Sequence, residues 1–140
     1  MRYDTVIFGA TPSGIVAAIR LAREGRSVLL VSAYERIGGM LSNGLSMMDA
    51  LYKGWRSPLY AELLERLHDV YATRYEPDSS TTKATTFGVP DDFNKRPRFE
   101  TAVMRDLLAD WVAQEPGISL LKPYYVADVR RDGGGIRDTA

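Results

Sequence analysis

Residues 3–31 carry the pattern that most constrains the fold of this chain. A short apolar run, Val6–Phe8, is followed by the glycine-containing turn GATPSG at positions 9–14 and then by a helical stripe of apolar residues. Gly25 stands where a helix C-cap belongs, and a second apolar run begins at Val28. A strand, a glycine turn, a helix and a strand in this order predict a right-handed βαβ unit.

The turn at positions 9–14 has the features of a site for a diphosphate. Unpaired N–H groups and the helix dipole favour negative charge at a helix N-terminus. A full G-x-G-x-x-G fingerprint would have glycine at position 11, where this chain has Thr11, whose hydroxyl could donate to a phosphate oxygen. Pro12 suits the first helical position and favours an extended Thr11. On these six residues alone, a turn that binds nothing is an equally good interpretation.

The end of the second predicted strand bears on which dinucleotide could bind. An acidic residue about 20 positions after the first glycine usually receives the ribose hydroxyls. This chain has Ser32 there, which is a weaker hydrogen-bond partner than a charged acceptor. Glu35 could substitute for it if the loop folds back. Ser32 and Arg36 together could instead receive a 2′-phosphate, so at this point both FAD and NADP remain open.

An Arg-x-Gly-Gly-Met segment, residues 36–40, follows the second strand. Paired glycines allow backbone conformations closed to other residues, so that an extended ligand can pass against the main chain. With this segment the chain resembles the FAD-dependent oxidoreductases that have a glutathione-reductase-type flavin domain, distantly related to the flavin subunit of heterodisulfide reductase. The resemblance rests on the Gly-x-Thr-Pro-x-Gly turn, the Arg-x-Gly-Gly-Met segment continuing into Asn43-Gly44-Leu45 and Asp49, and Arg98-Phe99-Glu100 opening a later helix.

The resemblance implies an α/β, Rossmann-like FAD-binding domain with a central parallel sheet and the start of an antiparallel β-meander. It implies FAD as the cofactor and an oxidoreductase acting on an unknown small-molecule substrate, and it disfavours NADP because paired glycines are the flavin pattern. The implied cofactor-binding residues are Gly9, Thr11, Pro12, Ser13 and Gly14 at the pyrophosphate, Ser32 at the ribose, Arg36 near the adenosine, Gly38, Gly39 and Met40 toward the flavin, and Val126 at the adenine.

The rest of the chain predicts two more helices, a third parallel strand and a hairpin. The helices begin near Ser57 and Phe99, the strand covers 118–122, and the hairpin runs from Tyr124 through a triple-glycine turn. Residues 74–97 are polar and rich in turn formers, which predicts a surface loop or an insertion.

The resemblance also predicts that residues 1–140 are the N-terminal part of one larger domain. The flavin domain of the family needs more of the meander, another strand and a late Gly-Asp segment. A missing C-terminal portion of the same protein is therefore an expected partner. A truncated nucleotide-binding module without activity of its own is the alternative.

The composition narrows the function further. Eighteen basic and eighteen acidic residues balance, so nothing indicates binding to nucleic acid or to an anionic membrane. The absence of cysteine excludes thiolate metal sites and cysteine nucleophiles within this sequence. His68 is the single histidine, and it lies beside the apolar stripe of the helix that begins near Ser57. The sequence predicts a cytoplasmic protein without a metal site, and it identifies no catalytic acid or base.

Overall fold

A computed structural model combines strands and helices, and it describes residues 2–48, 55–76, 79–80, 82, 98–132 and 135–137. The elements are β1 (Thr5–Phe8), α1 (Pro12–Arg23), β2 (Val28–Val31), α2 (Gly39–Asn43), α3 (Pro58–Tyr75), α4 (Thr101–Ala113), β3 (Ile118–Leu121), β4 (Arg130–Asp132) and β5 (Gly135–Arg137). The predicted mixed α/β fold is confirmed.

The first three strands of the chain form one parallel sheet in the order β1-β2-β3. The register pairs Thr5 with Val28 and Val31 with Leu121, so β2 lies between its two neighbours along its whole length. The carboxyl ends of β1, β2 and β3 therefore meet at one edge of the sheet. Ligands of open parallel sheets bind at such an edge.

Helix α1 begins and ends where the sequence predicts. Thr11 is extended, with φ −76° and ψ 171°, and Pro12 opens the helix. Gly25 follows its C-terminus with φ +80°, a conformation that a residue with a side chain rarely adopts. The predicted stripe faces the core, because Ile15, Ala18 and Ile19 are completely buried.

Helices α3 and α4 complete the core on the same side of the sheet as α1. Their buried residues are the ones that the helical periodicity selects, among them Leu67 on α3 and Met104, Leu108 and Trp111 on α4. The opposite face of the sheet is more open, since Val6 and Phe8 on β1 are 51% and 54% exposed.

The segment after β3 differs from the prediction. Tyr124 was expected to begin a strand, but the hairpin strands are only β4 and β5, and residues 124–129 are irregular and exposed. The backbone N–H of Tyr124 donates to the Ser32 carbonyl at 2.9 Å, so this segment first follows the loop after β2. Of the predicted loop at 74–97, residues 74 and 75 end helix α3, and most of the remainder lies outside the described residues, as does Asp49.

Within the described part of the chain, no helix is long and apolar enough to span a membrane. The same residues contain no group of three or more His, Asp and Glu side chains that could hold a metal ion.

An ion-pair cluster joins α1, α3 and the turn before β3. The Arg23 guanidinium contacts carboxylate oxygens of both Glu62 and Glu115 at 2.6 Å. Glu62 also accepts from Arg66 at 3.0 Å, and Arg66 lies over the buried Trp111 ring at 5.2 Å. Hydrogen bonds from Arg23, and then from Arg66, lower the pKa of Glu62 to about 2. The cluster therefore holds three distant segments of the chain together by charge.

We expect the Glu62 carboxylate to make the free energy of unfolding depend on pH. Its pKa in the folded protein lies below the ordinary value of 4.5. The stabilisation is therefore complete above about pH 4.5 and is lost as the pH falls toward about 2. Because water screens surface ion pairs, we expect Glu62→Gln to cost only about 1 kcal/mol at neutral pH.

Urea unfolding at several pH values measures this effect. In Glu62→Gln the decline of stability between pH 4.5 and pH 2 should be shallower than in the wild type. Glu24→Gln is the matched control, because Glu24 forms an exposed ion pair with Arg20 at the end of α1. An equally steep decline in Glu62→Gln would contradict the proposed contribution of Glu62.

Candidate functional site

The turn between β1 and α1 depends on two glycines in direct contact. Gly9 has φ +111°, and the space where its Cβ would lie is open for 4 Å. A Cβ on Gly14 would lie 2.0 Å from the Gly9 carbonyl oxygen, closer than any two such atoms can approach. Gly14 thus allows α1 to begin directly against the turn. The open side of Gly9 leaves room for a ligand to approach the backbone.

Thr11 caps helix α1 and remains able to bind a ligand. Its hydroxyl oxygen accepts from the Gly14 N–H at 3.3 Å, and its carbonyl accepts from the Ile15 N–H at 2.9 Å. The hydroxyl hydrogen takes no part in the cap and can donate to an anion. A cap of this kind stabilises a helix by about 1 kcal/mol. A glycine at position 11 has no hydroxyl and could not provide this cap.

A cavity of about 960 Å³ lies at the carboxyl ends of β1 and β2. Six of the predicted cofactor-binding residues line it, and the other five do not. The six that line it are Gly9, Thr11, Ser32, Arg36, Gly39 and Met40. The five that do not are Pro12, Ser13, Gly14, Gly38 and Val126.

The paired glycines at 38 and 39 have different surroundings. Both have positive φ, +97° at Gly38 and +53° at Gly39. A Cβ on Gly38 would lie 2.6 Å from the Ser42 hydroxyl oxygen and 2.7 Å from the Leu108 side chain. Gly39 lies beside Pro12 and lines the cavity. Gly38 therefore allows α2 to pack on α4, while Gly39 forms part of the wall.

Ser32 is used mainly within its own loop. It is 3% exposed, and its hydroxyl donates to the Tyr34 carbonyl at 2.8 Å and accepts from the Tyr34 N–H at 3.2 Å. The sequence suggests a hydroxyl free for a ribose, but most of its hydrogen-bonding capacity is spent on Tyr34. The structure thus gives Ser32 a clear local role, which is to shape the loop that carries Tyr34, Glu35 and Arg36.

Two hydrogen bonds join the loop after β2 to the loop after β3. The Ser32 carbonyl accepts from the Tyr124 N–H at 2.9 Å, and the Lys122 ammonium donates to the Glu35 carbonyl at 2.8 Å. Lys122 also lies 3.7 Å from the Glu35 carboxylate. Glu35 is also among the residues that line the cavity.

The cavity also includes residues that the sequence pattern does not mark as ligand-binding. The largest are three aromatic side chains and a leucine, namely Phe8, Tyr34, Tyr125 and Leu45. Tyr125 was assigned to a strand, so its position beside the β2 loop could not be foreseen. The signal that the sequence does carry is an aromatic residue a few positions after each of two predicted parallel strands.

A family model described as "FAD dependent oxidoreductase" matches residues 4–139 of this chain. FAD is the cofactor of that family, and the match favours FAD over NADP, the alternative that Ser32 and Arg36 had left open. The cavity residues fit FAD, since the open side of Gly9 and the Thr11 hydroxyl suit a diphosphate.

Two relatives and one solved structure illustrate the likeness. Hydrogen cyanide synthase subunit HcnB of Pseudomonas protegens is 35% identical over 72 residues, 51% of this chain and 15% of that protein. Thiamine thiazole synthase of Desulfosudis oleivorans is 39% identical over 75 residues, 44% of this chain and 28% of that protein. Anhydrotetracycline hydroxylase OxyS of Streptomyces rimosus has a TM-score of 0.57 at 22% identity, over 97% of this chain and 27% of that chain.

The solved structure supports the Rossmann-like fold alone, because its identity to this chain is low. The matched region spans only between 15% and 28% of the length of the two relatives. What those proteins act on is therefore not transferred to this chain.

We predict that Gly38→Ala destabilises the protein by about 2 kcal/mol, because the added methyl group would press on Ser42 and Leu108 at a positive φ. Gly25→Ala is the matched control. Gly25 also has positive φ, but its surroundings are open, so only the backbone cost of about 1 kcal/mol should remain. Urea denaturation measures both values. Equal losses in the two variants would show that the packing of α2 on α4 does not limit position 38.

Proposed function

This chain belongs to the FAD dependent oxidoreductase family, and we propose that it holds the ADP half of FAD in the cavity beside the glycine turn. The observation that carries the proposal is the junction of β1 and α1, where an open glycine backbone and a capping hydroxyl face the same cavity. When bound, FAD supplies the electron-transfer chemistry, and the protein supplies binding and orientation.

The diphosphate is proposed to bind at the N-terminus of α1. The helix dipole favours anions there, and Pro12 has no N–H that would need a partner. The Thr11 hydroxyl would donate to a phosphate oxygen while its oxygen keeps the helix cap. Gly9 would let the phosphates approach the backbone, and Ser13 would offer the N–H of the first turn. Gly14 would contribute indirectly, by keeping α1 against Gly9.

The adenosine is proposed to lie toward the loop after β2. Ser32 would shape this part of the wall, Arg36 would offer a positive charge, and the backbone at Val126 would lie near the base. In the other direction, Gly39 and Met40 would extend the wall toward the flavin, and Gly38 would support Gly39 by its packing. Met40 is highly exposed, so it has apolar surface available for a flat ring.

For the whole protein, we propose an oxidoreduction of an unidentified small molecule. A second candidate is a nucleotide-binding module without activity of its own. This second candidate is supported by the short length of the matched region compared with the full length of the two relatives. The two candidates differ in turnover and not in nucleotide binding, so binding is tested first.

We predict that the purified 140-residue chain retains FAD after mixing and gel filtration, as a flavin absorbance that elutes with the protein. Thr11→Val should weaken binding of FAD and ADP about tenfold, because it removes the hydroxyl that donates to the phosphates. Binding of adenosine, which has no phosphate, should be unchanged in the same variant. Isothermal titration calorimetry measures all three affinities.

Thr11→Ser is the matched control, since serine keeps the hydroxyl, caps a helix equally well and should retain the affinity for ADP. If Thr11→Val weakened adenosine as much as ADP, the Thr11 hydroxyl would not contact the phosphates. Failure of the folded wild type to bind either FAD or ADP would refute the proposed function.

A further inference from the structure

Two highly exposed tyrosines line the cavity at the ends of neighbouring strands. Tyr34 follows β2 and is 71% exposed, and Tyr125 follows β3 and is 72% exposed. Both belong to the wall of the same cavity as the glycine turn. Aromatic rings usually bury most of their surface, so two exposed rings at the mouth of one cavity indicate a surface that a ligand covers.

The backbones that carry the two rings are fixed to each other. The Ser32 hydroxyl forms two hydrogen bonds with the Tyr34 backbone, at 2.8 Å and 3.2 Å. The Ser32 carbonyl accepts from Tyr124, the residue before Tyr125, at 2.9 Å. The Lys122 ammonium binds the carbonyl of Glu35, the residue after Tyr34, at 2.8 Å. The rings thus stand on a rigid double loop, although they are themselves exposed.

A rigid base with exposed aromatic rings is suited to stacking against a flat ligand ring. Stacking on an aromatic side chain needs only a planar partner, and a tyrosine has just two side-chain dihedral angles to immobilise. Given the proposed function, the ligand offers two planar groups, the adenine and the isoalloxazine. The tyrosines follow β2 and β3, on the side where the adenosine is proposed to lie.

We infer that Tyr34 and Tyr125 are the stacking residues for the adenine of the bound nucleotide, and that Ser32 is a positioning residue that holds Tyr34 in place. This inference rests on the proposed function and extends it. Recognition of the adenosine then depends on aromatic surface and on a serine that acts within the protein. It does not depend on a carboxylate at position 32 that binds the ribose.

The test measures the affinity of the full chain for ADP and for FMN by calorimetry. Tyr34→Ala and Tyr125→Ala should each weaken ADP about tenfold, the usual loss when an aromatic partner of a base is removed. Tyr34→Phe and Tyr125→Phe should bind ADP as the wild type does, because stacking needs the ring and not the hydroxyl. FMN has no adenine, so its affinity should be the same in all four variants.

Tyr124→Ala is the matched control. Tyr124 is the neighbour of Tyr125 and is 54% exposed, but it does not line the cavity. Its backbone bond to Ser32 survives the substitution, so ADP affinity should be unchanged. An equal loss of affinity in Tyr124→Ala and Tyr125→Ala would overturn the inference. A loss for FMN and not for ADP would assign the rings to the isoalloxazine and would overturn it as well.

The role of Ser32 is tested with ADP and 2′-deoxy-ADP. If Ser32 positions Tyr34, Ser32→Ala should weaken both ligands by the same factor, about threefold to tenfold. If Ser32 instead bound the ribose 2′-hydroxyl, the loss would appear with ADP and disappear with 2′-deoxy-ADP, which would overturn the positioning role. Ser32→Ala in a Tyr34→Ala background should add little further loss, because the ring to be positioned is already gone.

The outcomes separate this inference from the proposed function. If the wild type binds FAD and ADP but the tyrosine variants bind ADP equally well, the stacking pair is wrong and the proposed function stands. If the folded wild type binds neither nucleotide, both are wrong. Far-UV circular dichroism confirms that the variants are folded, which is expected because both substituted rings are largely exposed.

Discussion

The close approach of Gly14 to the Gly9 carbonyl sets how near helix α1 can lie to the end of strand β1, and the rest of the βαβ unit depends on it. Because Gly14 has no side chain, α1 begins directly against the end of β1. That closeness lets Thr11 cap the helix and buries Ile15, Ala18 and Ile19 against the sheet. Any other residue at position 14 would push the helix away from the strand. This tight turn forms part of the cavity wall, through Gly9, Ala10 and Thr11.

The binding edge of the sheet is held by hydrogen bonds that continue the strand ladder into the loops. The Gly9 N–H donates to the Val31 carbonyl at 2.8 Å, and the Ser32 N–H donates to the Leu121 carbonyl at 2.9 Å. The Tyr124 N–H then returns to Ser32. The parts of the cavity wall after β1, β2 and β3 are therefore anchored by hydrogen bonds that continue the sheet. Loops anchored in this way can present exposed side chains in a fixed arrangement.

The sequence predicts most of what depends on neighbours along the chain. Strand β1, the extended backbone at Thr11, helix α1 and the positive φ of Gly25 all follow from local chemistry, and each is present. The site could be predicted only in part, because the residue type does not reveal which residues distant in the sequence it will contact. The sequence pattern indicates a ligand-binding role for Gly38, yet a Cβ at this position would lie 2.7 Å from the side chain of Leu108, 70 positions later in the chain. Tyr125 joins the cavity through a hydrogen bond between distant loops, which no periodicity records.

The separation of these partners along the chain has a consequence for folding. The bond from Asp4 to Ser27, which aligns β1 with β2, closes a separation of 23 residues, whereas that from Lys122 to Glu35 closes 87. Closing the longer loop costs more chain entropy, and contacts of high sequence separation form slowly. We therefore expect the β1-α1-β2 unit, with its turn, to be ordered before β3 docks. The phosphate end of the cavity would then assemble early in folding, and the wall that contains Tyr125 would assemble last.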